Sequence, residues 1–236
     1  MLWESVLIAF EGLRVNKLRS ILTLLGIIIG VGAVIAMISI GMGVRDKIQA
    51  SLAGLGSNLI IVSPGATSPS GVRMAAGSNN SLTNQDWRAI VREVQGISMA
   101  APGVSRQYQI IYNNKNWITN VQGTTPEYLD VRNFVVSAGT FFTAKDVDSR
   151  MRVAVLGNTT AENIFGEISP IGQTIRINKA PFRVIGVLEP KGQSAGGMDQ
   201  DDVVIVPLTT AQERLLGITY LHSISVQAVD ATVIDQ

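Results

Sequence analysis

Between Ser20 and Val44 the chain carries no charged side chain, a run of 25 residues. About 20 apolar residues suffice to cross a hydrocarbon core of roughly 30 Å. Twenty-five at about 1.5 Å each make roughly 37 Å of helix, enough to span with tilt. The run is dense in Ile, Leu and Val, including Ile27, Ile28, Ile29, Val31, Val34 and Ile35. β-Branched residues are weak helix formers in water. In lipid every backbone group must bond within its own segment, so a helix is nevertheless the expected form. The balance of the chain agrees: 46% of its 236 residues are hydrophobic and 16% charged, against about 25% charged in a soluble domain. A cleaved signal peptide is the competing reading. Its apolar core would be shorter, about 7–15 residues, and here 19 residues precede the run. A buried helix of a soluble protein is a further alternative.

The flanks bear on orientation. Arg14, Lys17 and Arg19 precede the run, Arg45 and Lys47 follow it, and the next basic residue is Arg73. The positive-inside tendency then puts the N-terminus in the cytoplasm and the remaining chain outside. Leu2, Trp3, Val6, Phe10 and Leu13 recur at helical spacing, with Glu4, Glu11 and Asn16 mostly opposite. Ile8 and Val15 break the pattern; residues 1–19 still read as an amphipathic helix in the inner-leaflet interface, with Trp3 as its anchor, the alternative being a plain extended start to the membrane helix. Gly26 and Gly30 form a GxxxG pair, which permits close approach of a second helix. The plain alternative is that glycine is simply common in membrane helices.

After a stalk at 45–57, residues 58–236 read as an α+β domain of short strands and helices. Asn58–Ser63 is a strand stopped by Pro64-Gly65, and 64–81 is a Gly/Ser-rich loop. Thr83 and Asp86 have capping-box spacing and open a helix from Asn84 to about Val94. Val104–Tyr112 and Trp117–Gly123 flank an Asn113–Asn116 turn. Pro126–Leu129 is a helical turn, and Thr143 with Asp146 is a local cap. Arg152–Leu156 is a strand, Thr159–Phe165 a helix closed by Gly166, and Gln173–Ile177 and Phe182–Leu188 are strands around an Asn178–Pro181 turn. Residues 189–200 form a polar loop. Val203–Val206 is a strand stopped by Pro207, Thr209–Leu216 a helix with capping-box spacing at Thr209/Gln212 or Thr210/Glu213, and Ser223–Val229 a last strand.

Catalytic chemistry is hard to find. The absence of cysteine removes disulfides and thiolate metal sites. The single histidine, His222, reads as a hydrogen-bonded strand-end residue more readily than as a base or ligand. Asp199, Asp201 and Asp202 lack EF-hand spacing and read as a solvated loop, as do Asp146 and Asp148. Neither a GxSxG elbow nor a Walker A pattern occurs in the 236 residues. The sequons at Asn79 and Asn158 are too common a pattern to carry weight. A net charge of +1 gives no polyanion signal, so nucleic acid is not an expected partner. No catalytic, cofactor or metal residue is assigned.

Several segments in order carry a resemblance: Asn16–Val34 (NKLRSILTLLGIIIGVGAV), Gly41-Met42-Gly43, Val121–Tyr128 (VQGTTPEY), Gly139–Asp146 (GTFFTAKD), Val153–Gly157 (VAVLG), Pro170–Gln173 (PIGQ), Phe182–Leu188 (FRVIGVL) and Asp201–Leu208 (DDVVIVPL). Together they resemble the MacB-like family of ABC transporter permeases. The resemblance implies a first transmembrane helix followed by a periplasmic core domain, in the bacterial inner membrane. It also implies a dimer of permeases, identical or not, an ABC ATPase subunit that binds the ATP, and a periplasmic adaptor protein as a further partner. Against that family pattern the chain reads as a stand-alone permease subunit that stops early, with an incomplete core domain. Export or efflux is the expected function. The alternatives are a lipoprotein-releasing or cell-division permease of the same superfamily, and a single-pass anchored binding or sensor domain.

Overall fold

The computed structural model describes residues 3–4, 15, 17–55, 58–65, 81–194 and 197–230. The chain divides into two compact units, Met1–Ala50 and Ser51–Gln236. Leu2, Val6, Phe10 and Leu13, on which the amphipathic reading of residues 1–19 rests, lie outside the described residues, as do residues 66–80 of the expected loop.

Helix α1 extends over Lys17–Leu55, so it continues past the uncharged run and ends five residues beyond the first unit. Its apolar stretch, Lys17–Arg45, has no buried residue. Ile28, Ile29, Met37 and Ile40 are each more than 60% exposed. A helix that is apolar all round, with no buried residue among those described, is suited to lipid, not water. Thr23 Oγ1 donates back to the carbonyls of Arg19 (2.9 Å) and Ser20 (3.0 Å), so its hydroxyl is satisfied within the helix.

The second unit is built on β2, Ile97–Tyr112. Its first half pairs antiparallel with β9 (Ser223–Ala228), which in turn pairs with β1 (Leu59–Val62). Its second half pairs with β3 (Lys115–Thr124). From β3 the pairing passes to β8 (Val203–Pro207), then β5 (Val153–Leu156), β7 (Ala180–Leu188) and β6 (Thr174–Ile177). It returns to β2 through Ile110↔Ile177 and Ile111↔Arg176. Six strands thus close into a ring, which removes the free edges an open sheet would present. β4 (Val136–Gly139) adds to β7 outside the ring.

The strands alternate as a one-sided sheet should. In β6, Ile175 and Ile177 are buried and their neighbours exposed; in β7, Phe182 and Val184 point inward. β5 is buried along its whole length, as expected for a strand between two others with both faces covered. The ring interior and the layer beside it form one apolar core with Ile110, Val121, Phe165 and Val204. Helix α2 (Asn84–Glu93) starts with a complete capping box: Thr83 N donates to Asp86 Oδ2 (2.7 Å) and Asp86 N to Thr83 Oγ1 (3.3 Å). Next comes the one-turn helix α3 (Tyr128–Val131). Helix α4 (Ala144–Asp148) repeats the capping device with Thr143 and Asp146. Helix α5 (Asn158–Phe165) follows β5 and ends at Gly166, whose φ is +61°.

Four expectations need correction. β2 begins at Ile97, seven residues before Val104, because the Ala-Pro-Gly stretch finds a ladder partner in β9. Both hairpin turns are two residues long, Asn113-Asn114 and Asn178-Lys179. In the second both φ values are positive, +46° and +70°, the signature of a type I′ turn. The segment after β8 is a short α6 (Leu208–Thr210) running into a π-helix, Ala211–Leu216. Neither expected capping box forms there: the hydroxyl of Thr209 donates to Val147 O and that of Thr210 to Met151 O. Pro207 continues β8 rather than stopping it, paired with Thr124.

Two stability outcomes follow. Phe182→Ala, in a fully buried ring position, is expected to cost about 3–5 kcal/mol in urea unfolding. Thr83→Ala should cost about 1 kcal/mol. The Thr83 hydroxyl and backbone hold the Asp86 carboxyl below its ordinary range, and Thr143 does the same for Asp146. A depressed folded value adds stability above the unfolded value and loses it as pH falls through the folded one. The deficit of Asp86→Asn relative to wild type should therefore be full at pH 6 and shrink from about pH 4 downward.

Candidate functional site

The first candidate feature is the glycine face of α1. A Cβ built on Gly26, Gly30, Gly32, Gly41 or Gly43 meets no atom within 4 Å outside the helix's own backbone. Gly26 and Gly30 are thus open on the unit to which they belong. Trp3 is helical and 77% exposed. None of these residues contributes chemistry of its own; they offer surface.

The second feature is the acidic loop before β8. Asp201 is only 5% exposed. Its carboxylate accepts from Lys191 N (2.8 and 3.0 Å) and Gly192 N (2.7 Å). Asp202 Oδ1 accepts from Trp117 Nε1 (2.8 Å) and Thr160 Oγ1 (3.0 Å). Asp199 accepts from Thr159 Oγ1 and from Asp201 N, both at 2.8 Å. The solvated-loop reading is therefore corrected. Asp202 fixes the loop onto β3 and α5, and Asp201 gathers the loop's own backbone, because a buried carboxylate needs donors. Gly157 completes the fit: a side chain there would overlap the Asp201 carbonyl. The sequence signal for this was Trp117, whose indole N–H requires an acceptor once half-buried.

Beside that loop lies a cleft of about 660 Å³, bordered by Gln107, Asn120, Tyr128, Arg132, Phe134 and Met198. Lys191 Nζ donates to Arg132 O (2.6 Å) and sits 4.7 Å from the Phe134 ring centroid. Burial first, then the Arg132 charge, lowers its pKa against the opposing pull of Asp201. Burial raises that of Tyr128. The cleft mixes aromatic, amide, cationic and carboxylate groups. His222 is elsewhere: its Nδ1 accepts from Ser105 N (3.0 Å) and its own N–H donates to Gly103 O (2.9 Å). That is the strand-end role expected of it. Among the described residues no three Asp, Glu or His side chains gather as metal ligands.

Comparison with known proteins gives a consistent result. Residues 20–236 match the family model of the MacB-like periplasmic core domain. A macrolide export ATP-binding/permease protein MacB from Bdellovibrio bacteriovorus is 43% identical over 96% of the chain, and one from Hyphomonas neptunium is 43% identical over 97%. The chain spans 35% of the length of each. The crystal structure of the periplasmic region of MacB from Actinobacillus actinomycetemcomitans superposes with a TM-score of 0.64 at 26% identity, covering 80% of this chain and 84% of that one. The extracellular domain of YknZ, a noncanonic ABC-type transporter from Gram-positive bacteria, shares the fold, with a TM-score of 0.61 at 23% identity over 75% and 87% of the two chains.

Asp201→Ala would leave two loop N–H groups unsatisfied, a cost of about 1–3 kcal/mol for each buried donor. Hydrogen exchange at Lys191 and Gly192 should accelerate first, whereas Asp199→Asn, at an exposed position, should leave their protection nearly unchanged.

Proposed function

The chain belongs to the family of the MacB-like periplasmic core domain, and on that premise we propose that it is part of an ABC transporter permease that converts ATP hydrolysis into motion of an extracytoplasmic domain. The observation that carries the proposal is the pairing of the family match over 20–236 with a lipid-length helix that has no buried residue. In this reading α1 is the first of several membrane helices, and Gly26 and Gly30 are where a neighbouring helix packs. Trp3 anchors the N-terminal segment at the cytoplasmic face of the inner membrane, in contact with lipid. The unit 51–236 faces outward.

The residues present support a mechanical role. The relatives named for macrolide export are ATP-binding/permease proteins, and in this reading ATP is bound by an ABC ATPase that works with these 236 residues. Two permease copies or homologues pair in the membrane, and a periplasmic adaptor receives the exported molecule. Closure of the ATPase shifts the membrane helices, and α1, continuous to Leu55, passes that shift outward. Nothing in this cycle asks the domain for a nucleophile, a metal or a cofactor of its own. The relatives named for macrolide export make macrolides the first substrates to test.

In cells lacking other macrolide exporters, the intact transporter should raise macrolide tolerance, and inactivating its ATPase should abolish the gain. Tolerance that survives without any ATPase would overturn the proposal in favour of an anchored binding domain. Gly26→Leu with Gly30→Leu should abolish export and permease pairing while the melting temperature of the extracytoplasmic unit stays within about 1 °C. Unchanged export in that double variant would remove the glycines from the helix interface.

A further inference from the structure

Four neighbouring strands of the ring carry no acidic residue. Residues 97–124 (β2, its turn and β3) and 174–188 (β6, its turn and β7) contain no Asp or Glu. The unit as a whole is not basic: residues 51–236 hold 14 Lys and Arg against 15 Asp and Glu. β3, β2, β6 and β7 are successive neighbours, and alternation fixes what each turns outward. Ile110, Ile175, Ile177 and Phe182 are buried, whereas Ile111, Arg176, Pro181 and Arg183 are exposed. The registers Ile111↔Arg176 and Arg176↔Pro181 set a row across three strands. Arg183 lies two residues from Pro181 and is the diagonal neighbour of Arg176, about 7–8 Å away by strand geometry. Ile118, 63% exposed, and Gln109 form the next pair on the same face. Among the described residues the one ion pair is Arg150–Glu213. Two like charges therefore stand side by side with no ion pair of their own, an arrangement that weakens a sheet.

We propose that the outer face of β3, β2, β6 and β7 docks an acidic segment of a partner protein, with Arg176 and Arg183 receiving its carboxylates and Ile111, Ile118 and Pro181 packing beside them. Charge complementarity sets the sign of the partner, and composition sets its class. Protein interfaces are enriched in Arg and depleted of Lys, Asp and Glu. On these strands the lysines stand at the hairpin turns, Lys115 and Lys179, and the acids are absent. A guanidinium also matches a carboxylate two bonds at a time. Anionic lipid calls for a dense cluster of Lys and Arg; here the two arginines alternate with apolar and amide side chains. Four strands at about 4.8 Å spacing make a face of roughly 300 Å² in plan, well under the about 800 Å² per partner of a stable complex. The contact is therefore transient and sensitive to salt. This inference stands on the surface alone and does not depend on transport.

The test uses the full chain in neutral detergent micelles, with fluorescent poly-L-glutamate as the acidic peptide. Binding should be seen at about 0.02 M sodium chloride and be lost by about 0.3 M. Arg176→Glu with Arg183→Glu should weaken it about tenfold or more. Both positions are exposed, so the melting temperature of that variant should stay within about 2 °C of wild type. Arg88→Glu with Arg92→Glu makes the same charge change on exposed positions of α2 and should leave binding within about twofold. Absence of binding at low salt, or an equal loss in the two double variants, would overturn the proposal. So would binding to phosphatidylglycerol nanodiscs, but not to poly-L-glutamate, that depends on Arg176 and Arg183; that result would give the face to lipid.

Discussion

Strand β2 pairs in two directions, and the second unit depends on that double membership. Up to Gly103 its hydrogen bonds go to β9, and from Val104 onward they go to β3. Near its end Ile110 and Ile111 also pair with β6 and close the ring. A strand with partners on both sides cannot slip by one residue without turning Ile110 out of the core and Gln109 in. Val104 and Ile110 are both fully buried, so the register is held at both ends of the ring segment. The remaining strands take their positions from it.

Most individual elements were readable in the sequence because their signals are local. The Thr83/Asp86 and Thr143/Asp146 boxes, the Gly166 terminus and the β-branched runs of β5 and β7 each act within a few residues. The closed ring was not readable, because it is a set of partner choices between distant segments, such as β3 beside β8. β4 was missed since Val136–Gly139 is short and mostly exposed. The first half of β2 was missed because Pro102 and Gly103 look like a break when their ladder partner is out of view. The π-helix could not be foreseen either. There the Leu215 carbonyl accepts from the Tyr108 hydroxyl at 2.6 Å, a contact made across the fold.

The sites follow the same division. His222 is legible because a histidine beside a strand end finds backbone partners locally, here Ser105 N and Gly103 O. The acidic loop was not, because charge clustering says nothing about which donors will meet it. Asp201 and Asp202 face opposite tasks: one gathers the backbone of its own loop, the other reaches an indole and a hydroxyl on two separate elements. Together they hold the wall of the cleft in place.

The orientation of the β2 pairings has a mechanical consequence. Along most of their length β9 and β3 lie antiparallel to β2, with their hydrogen bonds perpendicular to its axis. A pull directed along β2 would load these bonds together, in shear, so the strand cannot be unzipped one bond at a time. A pull across β1, which pairs only with β9, would peel that strand away in sequence. The same unit is therefore stiff along one direction and compliant along another.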